Sequence, residues 1–215
     1  MRRLYLGIYI FFFIVFCALC YLAHEFATFP GDTTVSLWVQ EIDSPFFTQL
    51  MEGVSFLGGA VPVSITIAVL ATGLLLFRRI REALFIVIVP AIAGLTNELI
   101  KALVDRVRPC GTTDIGVNSF PSGHATYATA ICGCIFFLAP LVLKWPVAVR
   151  IIQALSVLFV FLMGISRVFV GAHWPSDVLG SFFLTGLILA PGIFVYNHYA
   201  RGDQTESEVA NARAP

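Results

Sequence analysis

Six long apolar stretches constrain the fold of this 215-residue chain more than any other feature of its sequence. They cover residues 4–26, 56–77, 83–100, 125–143, 151–170 and 178–196. A helix needs about 20 apolar residues to cross the hydrocarbon core of a bilayer, and each stretch approaches or exceeds that length. Hydrophobic residues make up 58% of the chain, which is more than a soluble domain of this size can bury. The sequence therefore predicts an all-α fold, an integral membrane bundle of six transmembrane helices within residues 1–201.

The lysines and arginines are distributed unevenly between the loops. If the N-terminus is cytoplasmic, nine of the 13 fall on the cytoplasmic side: Arg2, Arg3, Arg78, Arg79, Arg81, Lys144, Arg150, Arg201 and Arg213. The other four, Lys101, Arg106, Arg108 and Arg167, fall on the outer side. The positive-inside rule then predicts that both termini are cytoplasmic. The polar segment 202–215 is predicted to be a disordered cytoplasmic tail. Because the formal net charge is zero, charge balance indicates no nucleic-acid partner.

The positive-inside rule disfavours cations on the outer side of the membrane. The four that lie there are therefore candidates for a binding or catalytic role. They belong to two of three polar patches, "KALVDRVRP" (101–109), "FPSGHA" (120–125) and "SRVFVGAHWPSD" (166–177), which the six-helix plan places at one level. Lys101, Arg108 and Arg167 form an anion-binding cluster, and the planar fork of arginine suits the oxygens of a phosphoryl group. Ser122 and Gly123 stand where a helix begins, with free backbone N–H groups and the positive end of its dipole. These residues predict a phosphate site.

Two histidines add reactive groups to that site. His173 and Asp177 are one helical turn apart if a helix begins near Pro175, and a carboxylate beside Nδ1 leaves Nε2 free to attack phosphorus. His124 has no carboxylate at a comparable spacing, so we expect it to donate a proton to the departing oxygen. An alternative is that His124, His173 and Asp177 bind zinc, but three nearby cations would repel the ion. We therefore expect a site without metal or cofactor.

The three patches match the signature K-x6-RP, PSGH, SR-x5-H-x3-D, and the chain resembles the type 2 phosphatidic acid phosphatase (PAP2) superfamily. The matching motifs cover residues 101–177 with no departure at a motif position. The resemblance implies that His173 forms a phosphohistidine, that Asp177 orients it, and that His124 protonates the leaving group and then activates water. It also implies a phosphate-binding set, which comprises Lys101, Arg108, Ser122, Gly123 and Arg167, and catalysis without a metal.

The expected function is hydrolysis of a phosphorylated lipid in a bacterial inner membrane, with the site facing outward. Undecaprenyl pyrophosphate is the first substrate expected, with phosphatidylglycerophosphate, phosphatidate and lipid A phosphates as others. Two alternatives remain open. A lipid phosphotransferase would use the same phosphohistidine with another acceptor. A non-catalytic lipid-phosphate binder or transporter would need the cations but not the pairing of His173 with Asp177.

Two further features have a structural and a functional interpretation. Glu98 precedes Lys101 by one turn, and we expect a structural pair that holds the lysine rather than a catalytic group. The stretch 27–55 mixes aromatic and acidic residues, which predicts an amphipathic connector on the outer surface. It would either shape substrate entry or serve as a plain linker.

Overall fold

The computed structural model describes residues 2–109 and 118–213, and within them the chain forms eight helices. They are α1 (Arg2–Glu25), α2 (Asp32–Gln40), α3 (Pro45–Leu57), α4 (Ala60–Leu76), α5 (Ile80–Val104), α6 (Gly123–Val142), α7 (Pro146–Phe169) and α8 (Pro175–Arg213). Five of them, α1, α5, α6, α7 and α8, are long and apolar enough to cross a membrane, and α3 with α4 makes a sixth span if the bent pair is counted as one. The prediction of an all-helical membrane bundle is therefore confirmed.

The second predicted stretch, 56–77, is broken near its start. Helix α3 ends at Leu57, and α4 begins at Ala60 at an angle of 62° to it. The apolar stretch predicted from sequence therefore contains a break, which lies at two consecutive glycines, Gly58 and Gly59. Gly59 has extended backbone angles (φ −67°, ψ 159°), and glycine loses the most conformational freedom when it is held in a helix. Helix α4 keeps 17 residues, about 26 Å of rise, which is close to the thickness of the hydrocarbon core.

Helix α6 forms the centre of the bundle and packs against α5, α7 and α8. Its buried face consists largely of small side chains, Ala125, Ala128, Ala130 and Cys134. Small residues let membrane helices approach closely and gain van der Waals contact, because lipid offers no hydrophobic driving force between them. This packing brings the N-terminus of α6 between the ends of the neighbouring helices.

The stretch 27–55, predicted to be an amphipathic connector, contains α2 and most of α3. Helix α2 packs on α7 and α8, and α3 packs on α7. Side chains on the other side, such as Trp38 and Phe46, are exposed. Two hydrogen bonds tie the connector to α7: Gln40 Nε2 donates to Val168 O at 2.9 Å, and Ser166 Oγ donates to Met51 O at 2.6 Å. The connector is thus part of the bundle, over the same end of α7 that carries Arg167.

The segment predicted to be a disordered tail has a helical backbone as far as residue 213, where α8 ends. Residues 214 and 215 lie outside the described part of the chain. The segment includes Gln204, Glu206, Glu208 and Ala210, whose types have high helix propensity. This local preference favours continuation of α8.

The contact between α5 and α6 depends on Gly94. A Cβ atom at this position would overlap the ring of Tyr127, and its contact with Tyr127 Cε1 would be only 2.7 Å. We expect Gly94→Val to push the two helices apart and to lower the free energy of unfolding by about 1–3 kcal/mol, the usual cost of overpacking. The measurement is thermal unfolding of the purified protein in detergent.

The matched control is Gly73→Val in α4, where no neighbouring atom would lie within 4 Å of an added Cβ atom. The control should unfold at the wild-type temperature. If both variants unfold at the wild-type temperature, the packing argument is wrong.

Candidate active site

The three polar patches meet at one end of the bundle. Lys101 lies in the last turn of α5, Arg108 in the segment that follows it, and Arg167 in the last turn of α7. His124 lies in the first turn of α6 and Asp177 in the first turn of α8. One link between the patches joins Arg108 Nη1 and His173 Nε2, which lie 3.2 Å apart. Ser122 N also donates to Asp177 O at 3.3 Å, so the start of α6 is joined to the start of α8.

His173 and Asp177 face each other across one turn of chain. Helix α8 begins at Pro175, as predicted, and places Asp177 Oδ2 3.5 Å from His173 Nδ1. This distance is too long for a good hydrogen bond, and Nδ1 has no hydrogen-bond partner in residues 2–109 and 118–213. Because an arginine can only donate, its approach to Nε2 assigns the lone pair to Nε2 and the proton to Nδ1. This tautomer leaves the unprotonated nitrogen, Nε2, facing Arg108.

The N-terminus of α6 forms a concave polar surface. Ser122 is the N-cap of α6, and its Oγ accepts a long hydrogen bond from Ala125 N at 3.5 Å. A Cβ atom on Gly123 would lie 3.3 Å from Lys101 Nζ and 3.6 Å from Asn97 Oδ1. Glycine at this position therefore keeps the space between the backbone and the ammonium group open. Free N–H groups, the helix dipole and an ammonium group at one place form a site suited to an anion.

The two arginines of the cluster are almost completely buried, with Arg108 7% and Arg167 4% exposed. Arg108 Nη1 donates to Ala172 O at 2.8 Å, and burial lowers the pKa of Arg108 from its usual value. Arg167 Nη1 donates to Ser55 Oγ, whereas Arg167 Nε has no hydrogen-bond partner within the described chain. A buried donor without a partner is costly and marks a place where a ligand acceptor would bind.

Lys101 has a different environment from the arginines. Its Nζ lies 2.8 Å from Glu98 Oε1, as expected for a pair one turn apart, and the Glu98 side chain is 65% exposed. The ion pair therefore lies at the rim of the site, where solvent weakens it. Such a pair orients Lys101 without neutralising it strongly.

His124 is packed against the break between α3 and α4. A Cβ atom on Gly58 would come within 3.0 Å of His124 Cδ2 and 2.6 Å of Met163 Cε. The imidazole is within electrostatic reach of Arg167 and His173. The end of the connector and the break that follows it thus form one wall of the site, with Ser55 beside Arg167 and Gly58 beside His124.

Among the residues that the structure describes, no group of three or more His, Cys, Asp or Glu side chains is arranged to hold a metal ion. The zinc alternative would require such a group from His124, His173 and Asp177. The side chains around His173 are instead mainly cationic, and this environment suits an anion.

Four residues that contact the site were missed from sequence: Asp32, Ser55, Asn97 and Arg106. Asn97 directly precedes Glu98 in the sequence. Its Nδ2 donates to Thr126 Oγ1 at 2.9 Å, while its Oδ1 has no partner within the described chain. Arg106 had a visible signal, because it is the fourth of the outer cations and lies two residues from Arg108. Asp32 and Ser55 had none, since both come from a segment without a motif.

Burial lowers the pKa of His173 to about 4, with further lowering from Arg108 and Arg167, while Asp177 acts in the opposite direction. Nε2 therefore keeps its lone pair at neutral pH. We expect the His173 imidazole to stay neutral from pH 8 to about pH 5 and to protonate only near pH 4. Because the unfolded chain would take up this proton near pH 6.5, stability is expected to fall as the pH drops between these two values.

The measurement is a pH titration of histidine ring nitrogens by NMR in detergent, with His173→Asn identifying the signal. A His173 midpoint near 6.5 would contradict the expected effect of burial.

Residues 82–201 match the PAP2 superfamily. The chain is 31% identical to phosphatidylglycerophosphatase B of Bacillus subtilis over 82% of its own length and 88% of that protein. It is 32% identical to undecaprenyl-diphosphatase of Sulfolobus acidocaldarius, over 52% of its own length and 54% of that protein. In three dimensions it resembles the crystal structure of a transmembrane PAP2 type phosphatidylglycerolphosphate phosphatase from Bacillus subtilis. The TM-score is 0.77 at 25% sequence identity, over 90% of this chain and 96% of that one.

The motifs, the helical membrane fold and these relatives lead to one conclusion: the chain is a multi-pass membrane protein that belongs to the PAP2 superfamily of lipid phosphatases.

Proposed function

We propose that this chain removes the terminal phosphate of a membrane lipid through a phosphohistidine formed on His173. The observation that carries the proposal is the 3.2 Å contact between Arg108 Nη1 and His173 Nε2. In this contact a guanidinium group lies directly beside an acceptor nitrogen, and both groups are buried. A phosphoryl group held by Arg108 would therefore lie against the atom that attacks it.

The phosphate-binding set surrounds that position. Arg108 and Arg167 supply guanidinium donors, and Arg167 Nε lacks a partner within the described chain. Lys101 with Gly123 and Ser122 supplies the ammonium group and the N-terminus of α6. Charged donors in a dry site stabilise the negative charge of the phosphoryl oxygens during transfer, because no solvent must reorganise.

The reaction proceeds in two steps. In the first, the Nε2 lone pair of His173 forms a bond to phosphorus, the bond from phosphorus to the lipid oxygen breaks, and His124 gives that oxygen a proton. Asp177 stabilises the imidazole cation that results. In the second step, water attacks the phosphorus of the phosphohistidine while His124 takes up a proton from that water. The bond from phosphorus to Nε2 breaks, and inorganic phosphate leaves. The balance is one lipid phosphate and one water to one dephosphorylated lipid and one phosphate.

Two substrates are supported best. The relative from Bacillus subtilis that matches most of this chain is named for phosphatidylglycerophosphate. Undecaprenyl pyrophosphate is the lipid diphosphate that the sequence interpretation favours. Both present a terminal phosphoryl group at the membrane surface and keep their chains in hydrocarbon. A substrate of this kind would enter sideways between helices, with its phosphate among the cations at the end of the bundle.

To test this function, the purified protein in detergent with EDTA is given a panel of undecaprenyl pyrophosphate, phosphatidylglycerophosphate, phosphatidate and lipid A. We expect phosphate release from at least one lipid and a loss of at least about a thousandfold in His173→Ala, since the nucleophile is removed. Free phosphate and lipid-linked phosphate are measured together, so that hydrolysis is separated from transfer to another lipid.

The matched control is His198→Ala, an exposed histidine that stacks on Phe194 away from the site. It should keep wild-type turnover. Full activity of His173→Ala would contradict the mechanism. Lipid-linked phosphate without free phosphate would identify a transferase, and binding without turnover would identify a lipid-phosphate binder.

We also propose that the site faces outward from a bacterial inner membrane and that both termini are cytoplasmic, on the support of the lysine and arginine distribution. A fluorescent protein that matures only in the cytoplasm, fused after Pro215, should fluoresce in cells. Alkaline phosphatase, which folds only outside the cytoplasm, should stay inactive at the same position. The reverse result would place the catalytic end in the cytoplasm.

A further inference from the structure

Arg106 is completely buried although it carries a full charge. Its Nη1 donates to Asp177 Oδ1 at 2.6 Å and to Ser176 Oγ at 2.8 Å, and its Nη2 donates to Asp32 Oδ2 at 2.8 Å. Two further contacts complete its surroundings, from Nε to the carbonyl of Ala27 and from Cζ to the face of the Phe29 ring at 4.7 Å. Each guanidinium nitrogen therefore has an acceptor, and a buried charge of this kind requires such pairing.

Asp32 is the second carboxylate on this arginine, and it comes from the connector. It is 3% exposed and begins α2. Its Oδ1 accepts from Ser176 N at 3.0 Å, and its Oδ2 accepts from Ser176 Oγ at 2.6 Å and from Phe29 N at 2.8 Å. Asp32 thus holds the first turn of α8 one residue before Asp177.

The two oxygens of Asp177 are divided between two tasks. Oδ1 accepts from Arg106, and Oδ2 accepts from Trp174 N at 2.9 Å and lies 3.5 Å from His173 Nδ1. These contacts determine the direction in which the carboxylate points. A rotation of the carboxylate would break the bonds to Arg106 and Trp174, so Oδ2 stays directed at the imidazole.

Asp32 also affects the net charge beside His173. Arg106 and Asp177 alone would be a neutral pair, which would weaken the effect of Asp177 on His173. Asp32 shares the arginine, so the buried group of Asp32, Arg106 and Asp177 keeps one net negative charge beside the imidazole. That charge stabilises the imidazole cation that forms when Nε2 bonds to phosphorus.

We propose that Asp32 and Arg106 are positioning residues for phosphoryl transfer, which hold Asp177 toward His173 and keep a net negative charge behind it. The expected effect of these two residues on the reaction rate rests on the proposed function. It assigns to the 27–55 connector a role in the chemistry in addition to packing. Neither residue touches the position of the phosphoryl group, so both act through Asp177.

The first test is a titration of the His173 ring nitrogens by NMR in two variants. Within residues 2–109 and 118–213, the charged or titratable groups around this imidazole are Asp177 of α8, Arg108 of the 105–109 segment, Arg167 of α7 and His124 of α6. Asp32→Asn leaves Arg106 to neutralise Asp177, so the His173 pKa should fall. Arg106→Gln leaves two carboxylates uncompensated, so the same pKa should rise.

Shifts of opposite sign separate the proposal from a purely structural role, since general loosening of the site would move both variants in one direction. Shifts of the same sign, or no shift in either, would overturn it. This readout does not require turnover, so it remains decisive even if the proposed function fails. If Asp32→Asn does not fold, the upward shift in Arg106→Gln carries the test, and its absence would refute the proposal.

The second test is kinetic. Asp32→Asn should lower kcat by about 10- to 100-fold with KM changed less than about threefold, as expected for a residue that supports a reacting group without touching substrate. In an Asp177→Asn background the same substitution should cost less than about twofold, because its effect passes through Asp177. The matched control is Asp43→Asn, an exposed acid of the same connector, which should keep wild-type kcat. Losses that multiply in the double variant would overturn the proposal.

Discussion

The ion pairs of Arg106 with Asp32 and Asp177 join parts of the chain that are far apart in sequence. Arg106 lies 74 residues from Asp32 and 71 from Asp177. All three side chains are removed from solvent, so the cost of burying their charges can be offset only when the three segments meet with good geometry. The same condition places the segment after α5, the start of α2 and the first turn of α8 at one point. The arrangement of the candidate site follows from that meeting.

The site also depends on close packing of the neighbouring helices against α6. Small residues on α6 and Gly94 on α5 let the helices pack tightly enough that the N-terminus of α6 lies among the ends of α5, α7 and α8. The N-terminus of α6, Lys101 and two buried arginines then lie within electrostatic reach of His124. In water such a cluster would be hydrated and weak. At the end of a membrane bundle the low dielectric constant strengthens each interaction with an anion.

Much of the site could be predicted because its groups are local in sequence. His173 and Asp177 are one turn apart, Ser122 and Gly123 begin a helix, and the outer cations contradict the usual topology. Asp32 and Ser55 could not be predicted, because each acts only through a contact with a distant part of the chain. Ser55, for example, lies 112 residues from Arg167. The break at Gly58 and Gly59 was missed for a different reason, since hydropathy averages over a window and does not register where a helix bends.

The sequence by itself determined the class of this protein, its apolar spans, the family signature and the groups that could bind and attack a phosphate. These properties depend on residue type and short spacing, which are visible without a fold. Only the tertiary structure decided how the charges are paired: which arginine faces the imidazole, which carboxylate is shared, and that the connector forms a wall of the site. Pairing depends on distances of a few ångströms between residues remote in sequence, and such distances exist only after the helices have packed.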